Sequence, residues 1–252
     1  MNIAIITGAS SGLGAEIAKA VARRYDDVQL WLIGRSLEGL TSTSEAIGAE
    51  RCRSIQLDLT DADNFTVLDE MLALDGNKVS LLVNDAGIGT YGYLENMTVE
   101  SQIALCDTNC RAVTAMTTVC LKYMDEGSGI INISSISAFA PTVKMSAYGA
   151  SKSYILQLSR ALREELKDRG ISCLAVCPPP MSTGFFDAAG IEREDTDKLM
   201  QIPRCSVVKV AEGSLDALEK GKAVYTPTVL YKLYRVIAKF MPATLLAKLA
   251  SA

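Results

Sequence analysis

Ile3-Ala4-Ile5-Ile6-Thr7-Gly8-Ala9-Ser10-Ser11-Gly12-Leu13-Gly14 is the stretch on which the fold of this chain turns. Ile3 to Ile6 read as a strand buried on both faces. The run passes straight into a glycine-rich bend and then into a segment of helical period from about Leu13 to Arg24. Glycine lets the chain turn tightly and lets a ligand approach the backbone. A helix that starts there offers free N–H groups and the positive end of its dipole. Strand, bend and helix in that order fit the pyrophosphate of a dinucleotide, although a glycine-rich bend alone is also a plain strand-to-helix turn.

Working outward, short apolar runs keep alternating with helix-period segments. Strands are expected at Val28 to Ile33, Cys52 to Leu57, Val79 to Val83, Gly129 to Ile133, Ile171 to Val176 and Ala223 to Tyr225. Helices are expected at Leu37 to Ile47, Asp61 to Leu74, roughly Thr98 to Met124, and Ser146 to Arg169. The strands are apolar without alternation, as strands covered on both faces are. Repeated β-α units impose right-handed crossovers and a parallel sheet. The expected fold is α/β: a Rossmann-like, doubly wound parallel sheet of about seven strands with helices on both faces, forming one domain over 1–252. Its ligand crevice lies at the carboxyl ends of the strands.

Composition narrows the function. Hydrophobic residues make up 49% of the 252, enough for a sizeable core, and the net charge of −4 argues against a nucleic-acid partner. No secretory signal and no apolar run long enough to span a bilayer is read in the sequence. Seven scattered Cys fit reduced thiols in a cytoplasmic protein. There is no His, so the commonest metal ligand is missing and no metal site is expected. Any catalytic proton must come from Tyr, Lys, Asp, Glu or Cys.

Two more motifs carry chemistry. Tyr148 and Lys152 stand four apart in Ser146-Ala147-Tyr148-Gly149-Ala150-Ser151-Lys152, so on a helix they share a face. An ammonium beside a phenol, together with an oxidised nicotinamide, favours the phenolate and brings it toward the working pH. After the second strand come Gly34-Arg35-Ser36, with no acid to accept from a ribose hydroxyl. Arg35 offers a permanently charged fork to a 2′-phosphate, and Ser10 and Ser36 offer hydroxyls to the same group.

The TGxxxGxG spacing of Thr7 to Gly14, the Tyr148-x-x-x-Lys152 pair and Ser135 thirteen residues before the tyrosine together resemble the classical short-chain dehydrogenase/reductase family, over about Thr7 to Thr183. Arg35 makes the likeness closest to the NADP(H)-preferring type. The resemblance implies NADP as cofactor, held at Gly8, Ser10, Ser11, Gly12, Leu13, Gly14, Arg35 and Ser36. It puts Asp58, with its neighbour Leu59, at the adenine edge. Asn84-Asp85-Ala86-Gly87 resembles the family's NNAG segment, which steadies the sheet and lines the cofactor; Asp85 keeps an acceptor there but loses an amide donor. Tyr148 becomes the proton donor to a carbonyl oxygen that receives hydride at its carbon, and Ser135, rather than Ser134, holds that oxygen. Lys152 binds the nicotinamide ribose and lowers the tyrosine pKa, and Asn109 holds a water that recharges it. Pro178, Met181 and Thr183 embrace the carboxamide, with Pro179 standing where Gly is usual.

The segment 183–204 is expected to be a substrate lid, with Phe185, Phe186 and Ile191 beside a charged run from Glu192 to Lys198. Phe139, Met145, Tyr91 and Tyr93 are expected on the pocket wall. An apolar wall suits a hydrophobic ketone or alcohol, with a hydroxysteroid or another lipid-like ketone as the leading substrate. A C-terminal helical extension, about 228–250, puts Leu230, Leu233, Tyr234 and Ile237 on one face and Lys232, Arg235 and Lys239 on another. That pattern fits packing on the domain or on a second subunit of a homodimer or homotetramer, and alternatively contact with a membrane surface. A non-catalytic NADP(H) sensor, a membrane-associated binding protein and an epimerase or dehydratase are the competing functions.

Overall fold

The structure is a computed structural model that describes residues 1–74, 76–182, 185, 189 and 204–249. Seven strands form one sheet: β1 Asn2–Thr7, β2 Gln29–Gly34, β3 Cys52–Gln56, β4 Lys78–Asn84, β5 Gly129–Ile133, β6 Ser172–Val176 and β7 Val224–Tyr225. Their order is β3-β2-β1-β4-β5-β6-β7, and every pairing is parallel. The helices are α1 Gly12–Arg24, α2 Leu37–Ile47, α3 Asp63–Leu74, α4 Val99–Cys106, α5 Ala112–Cys120, α6 Ser146–Glu165, α7 Val207–Glu219, α8 Val229–Phe240 and α9 Ala243–Leu249.

Successive strand residues point to opposite faces, and both faces are covered. Ala4 and Ile6 join Leu30, Leu32 and Val83 in a core closed by α1, α2 and α7. Ile3 and Ile5 join Trp31, Val79 and Leu82 in a second core closed by α3, α5 and α6. That double burial is why the inner strands are mostly apolar without alternation, whereas the edge strand β3, Cys52–Gln56, is largely polar with one buried residue, Ile55.

Boundaries differ from expectation where capping decides them. Helix α3 begins at Asp63, not 61, because Asp61 Oδ1 accepts from the Asp63 amide at 3.0 Å and caps it. The stretch read as helical from 98 to 124 is two helices joined by a π-turn, Asp107–Arg111, and closed by a 3-10 turn, Leu121–Tyr123. Helix α7, absent from the sequence expectation, packs on α1. Pro242 separates α8 from α9, and Met241 before it is extended.

Candidate active site

The bend after β1 is held from three sides. Thr7 Oγ1 accepts from the amides of Asp85 and Ala86, each at 3.1 Å, which ties the end of β1 to the end of β4. Gly8 has φ +70, and a Cβ there would lie 2.9 Å from the Ala86 nitrogen. A Cβ on Gly14 would lie 2.5 Å from the Gly8 carbonyl oxygen. The first and last glycines therefore sit back to back, which is what the six-residue spacing is for. Gly12 also has positive φ, and Ser11 precedes α1 without a side-chain cap bond. The turn presents the start of α1 with backbone uncovered by side chains, and this fits a diphosphate.

The rest of the cofactor edge converges on this bend. A Cβ on Gly39 would meet the Ser10 carbonyl at 2.5 Å, and one on Gly34 would meet Ser10 Oγ at 3.4 Å. Ser10 is thus brought beside Gly34-Arg35-Ser36. Ser36 Oγ accepts from the Gly39 amide at 3.1 Å and caps α2, so its oxygen is already engaged. The exposed Arg35 lies close enough to Asp58 to favour its carboxylate. Asp58 Oδ1 accepts from the Thr60 amide (2.8 Å) and hydroxyl (2.7 Å), and these bonds hold its pKa below the usual range. Leu59 is buried in the core below.

Asn84-Asp85-Ala86-Gly87 forms the floor between cradle and catalytic groups. The Asn84 side chain points into the sheet, where Nδ2 donates to Asn132 Oδ1 (2.8 Å) and Thr117 Oγ1 (3.2 Å). Its part is the sheet-steadying one. Asn132 in turn donates to Ser159 Oγ at 3.0 Å. Sequence reading missed Asn132, although one polar residue inside the apolar run Gly129–Ile133 was the available signal. Asp85 accepts a hydrogen bond from the Gly14 amide. Burial of its carboxyl raises its pKa, against the pull of the Lys152 ammonium. Gly87 has no side chain where a Cβ would stand 3.3 Å from Asn109 Oδ1 and 3.4 Å from Lys152 Nζ.

Ser135, Tyr148, Lys152 and Asn109 come together here, and all four are buried. Ser135 Oγ accepts from the Ser137 amide at 3.1 Å and hydrogen-bonds the Tyr148 phenol. Ser134, one residue back along the chain, points away and donates to the Lys152 carbonyl at 2.7 Å. Lys152 Nζ donates to the Ile133 carbonyl at 2.9 Å and lies 5.7 Å from the centre of the Tyr148 ring. Asn109 sits in the π-turn, where Oδ1 accepts from Ile88 N and Nδ2 donates to Ile88 O, both at 2.9 Å. Nδ2 also donates to Ser151 Oγ at 3.0 Å.

Burial pushes the Tyr148 phenol up to about 12, opposed by the Ser135 bond and reinforced by the Asp85 charge. Burial also lowers the pKa of Lys152, opposed by the Asp85 charge. At about 12 the Tyr148 phenol is a protonated acid.

On the far side of the crevice, the Ile136 amide donates to the Pro178 carbonyl at 3.2 Å. Pro179 is accommodated without a cis peptide bond, none occurring in the described backbone. Met181 forms an isolated parallel bridge with Cys205. Thr183, Phe186, Ile191 and the charged run 192–198 lie outside the described residues. Phe185 covers Tyr148, with ring centres 5.5 Å apart, and Leu105, Met145, Ile88 and Tyr91 complete an apolar wall. Two expected wall residues are elsewhere. Tyr93 is exposed beside Lys144, and Phe139 packs with Leu156 and meets Tyr234 of α8 with ring centres 6.2 Å apart and planes tilted by 58°. A separate cavity of about 410 Å³ lies at the opposite, amino-terminal edge of the sheet, bordered by Asn2, Ser80, Gly129 and Ser172. It is the wrong edge for a ligand in a doubly wound sheet.

Residues 2–194 match the family model described as short chain dehydrogenase. An uncharacterized oxidoreductase of Staphylococcus haemolyticus is 30% identical over 196 residues, covering 77% of this chain and 82% of that protein. The ketoacyl reductase HetN of a Nostoc species is 28% identical over 221 residues, covering 86% and 74%. A solved short-chain dehydrogenase from Sphingobium yanoikuyae, in complex with NADPH, aligns with a TM-score of 0.79 at 26% identity over 96% of each chain.

Proposed function

The chain belongs to the short-chain dehydrogenase family of oxidoreductases, and on that premise we propose that it interconverts a ketone and a secondary alcohol with NADP(H), using Tyr148 as proton donor and acceptor. One observation carries this reading: the buried phenol of Tyr148 meets the Ser135 hydroxyl on a floor, Asp85 to Gly87, that also touches the glycine cradle.

The cradle from Gly8 to Gly14 would hold the diphosphate, and Lys152 would hold the nicotinamide ribose. When bound, the nicotinamide supplies or accepts hydride. Tyr148, kept protonated by burial, gives its proton to the oxygen that develops negative charge in reduction. Ser135, oriented by the Ser137 amide, holds that same oxygen. Asn109, anchored on both polar atoms by Ile88, is a rigid post on the route by which Lys152 and Tyr148 regain a proton.

Arg35 supports NADP(H) over NAD(H): its permanent charge sits at the exposed end of β2, beside Ser10 and with no acid in Gly34-Arg35-Ser36. The apolar wall of Leu105, Met145, Tyr91 and Phe185 supports a hydrophobic substrate, a hydroxysteroid or another lipid-like ketone. The ketoacyl reductase relative supports carbonyl reduction. Burial raises the Cys173 and Cys177 thiols, and free Cys fit a reducing, cytoplasmic compartment.

The test is cofactor oxidation with NADPH and with NADH over a panel of steroid, fatty and sugar ketones. Turnover of the hydrophobic members with NADPH is expected. Tight NADPH binding without turnover of any ketone or alcohol would sink the reductase reading and leave a sensor.

A further inference from the structure

Helix α8 points its apolar stripe away from the protein. At about 100° per residue, Tyr231, Tyr234 and Ala238 share one side of this helix. That side faces the body: Tyr231 is buried, and the Tyr234 ring packs at a tilt against Phe139. Val229, Leu230, Leu233, Val236, Ile237 and Phe240 occupy an arc of roughly 120° on the other side. All six are exposed, Val229 by 79% and Phe240 by 77%. A helix that merely packed on its own domain would turn this stripe inward, so the stripe is built for something outside.

Charge identifies the occupant. Lys232 and Lys239 are exposed along one border of the stripe. Residues 220–252 contain six Lys or Arg and no Asp or Glu, in a chain whose net charge is −4. A second copy would bring the same helix, with no carboxylate of its own to meet these cations. An anionic bilayer answers both features: acyl chains take the apolar stripe and headgroups take the lysines. Among the described residues no helix is long and apolar enough to cross a membrane, so the contact lies in the plane of the interface.

We propose that α8 docks this protein peripherally on anionic lipid. The helix rests on the turn Ile136–Phe139, which follows directly from Ser135. Docking would therefore bring the bilayer close to the element that leads out of Ser135. The docking itself does not rest on the reductase reading, because it is measured without turnover.

The experiment is flotation of the full chain with vesicles of phosphatidylcholine and phosphatidylserine, beside vesicles of phosphatidylcholine alone. The chain should float with the anionic vesicles and be released by salt. Leu233→Glu with Phe240→Glu should abolish capture. Lys232→Gln with Lys239→Gln should weaken it on the order of 30-fold, from roughly fivefold per cation lost near a charged surface. Both double variants should keep the wild-type thermal transition and turnover of a small soluble ketone. No capture of the wild type by anionic vesicles overturns the proposal, as does capture undiminished in the glutamate variant. A wild-type dimer that the glutamate variant splits, with no lipid capture, assigns the stripe to a second copy and overturns it too.

Discussion

Two glycine-to-alanine changes, both in helices, should move stability in opposite directions. In Gly14→Ala the new methyl would lie 2.5 Å from the Gly8 carbonyl oxygen and 2.8 Å from both the Gly8 carbonyl carbon and Asp85 Oδ2. An ordinary C···O approach is about 3.3 Å, so the bend must retreat by roughly 0.8 Å. It has nowhere to go, because Gly8 is itself pressed on Ala86 and Thr7 is tied to the amides of Asp85 and Ala86. Overpacking against backbone costs about 1–3 kcal/mol, a drop of roughly 2–12 °C in Tm for a chain this size. Gly149, beside Tyr148 in α6, has the reverse geometry. Its nearest neighbours to a Cβ are the Ser137 carbonyl at 3.5 Å and Thr142 Oγ1 at 3.6 Å, both ordinary contacts. Gly149→Ala should therefore stabilise by about 0.5–1 kcal/mol, the helix-interior preference for Ala over Gly, and raise Tm by roughly 1–4 °C.

The same displacement should reach the cofactor. Moving the bend spoils charge-assisted bonds from its amides to a phosphate, each about 1.5–3 kcal/mol, so Gly14→Ala should bind NADPH about 10- to 100-fold more weakly. Gly149→Ala should bind it normally. Thermal unfolding and NADPH fluorescence titration on the three proteins decide the matter. A Gly14→Ala protein as stable as wild type, with unchanged NADPH affinity, would refute the back-to-back glycine cradle.

Tyr148→Phe should lower turnover at least ~100-fold while NADPH still binds, since only the acid is removed; steady-state kinetics beside a binding titration check this, and near-normal turnover would assign the proton to another group. Arg35→Ala should weaken NADPH by about 10- to 100-fold, the worth of a charged hydrogen bond, and leave NADH nearly unchanged; equal losses for both cofactors would remove Arg35 from the 2′-phosphate. Asp85→Asn should shift the pH profile of alcohol oxidation toward acid. The Asp85 charge raises the Tyr148 pKa, so removing it lets the phenolate form at lower pH; a profile that stays put or moves toward alkali would show that Asp85 does not act on the phenol.

The parts of this molecule legible in the sequence are those enforced by backbone sterics and double burial. A Cβ would stand 2.5 Å from a carbonyl oxygen at Gly14 and 2.9 Å from a backbone nitrogen at Gly8, so a side chain at either is costly and these glycines mark the cradle. Strands covered on both faces are unbroken apolar runs, so their positions came out within a residue or two. Helix α7 was missed although Val210 and Leu215 are fully buried, because small residues stand between them on its contact side. Gly213 lies where a Cβ would collide with the Tyr225 hydroxyl, and Ser214 is fully buried. Neither residue announces a buried helix face. The π-turn at Asp107–Arg111 has no sequence signature, yet it delivers Asn109 to Ile88. Phe139 and Tyr93 are aromatic, which suits a pocket wall, but residue type does not say what they pack on. Phe139 meets Tyr234 of α8 and Tyr93 lies by Lys144, and both contacts are tertiary.

Asp85 shows why an unusual residue can suit its place. An Asn there would bring an acceptor and a donor, whereas Asp brings acceptors alone. Its partner is the Gly14 amide, a donor, so the lost amide hydrogen was not needed for that bond. The carboxylate adds a charge that the Lys152 ammonium feels, and it raises the lysine's affinity for its proton while burial lowers it. The same charge pushes the Tyr148 phenol further up. One residue in the floor thus opposes the effect of burial on the lysine and adds to it on the tyrosine.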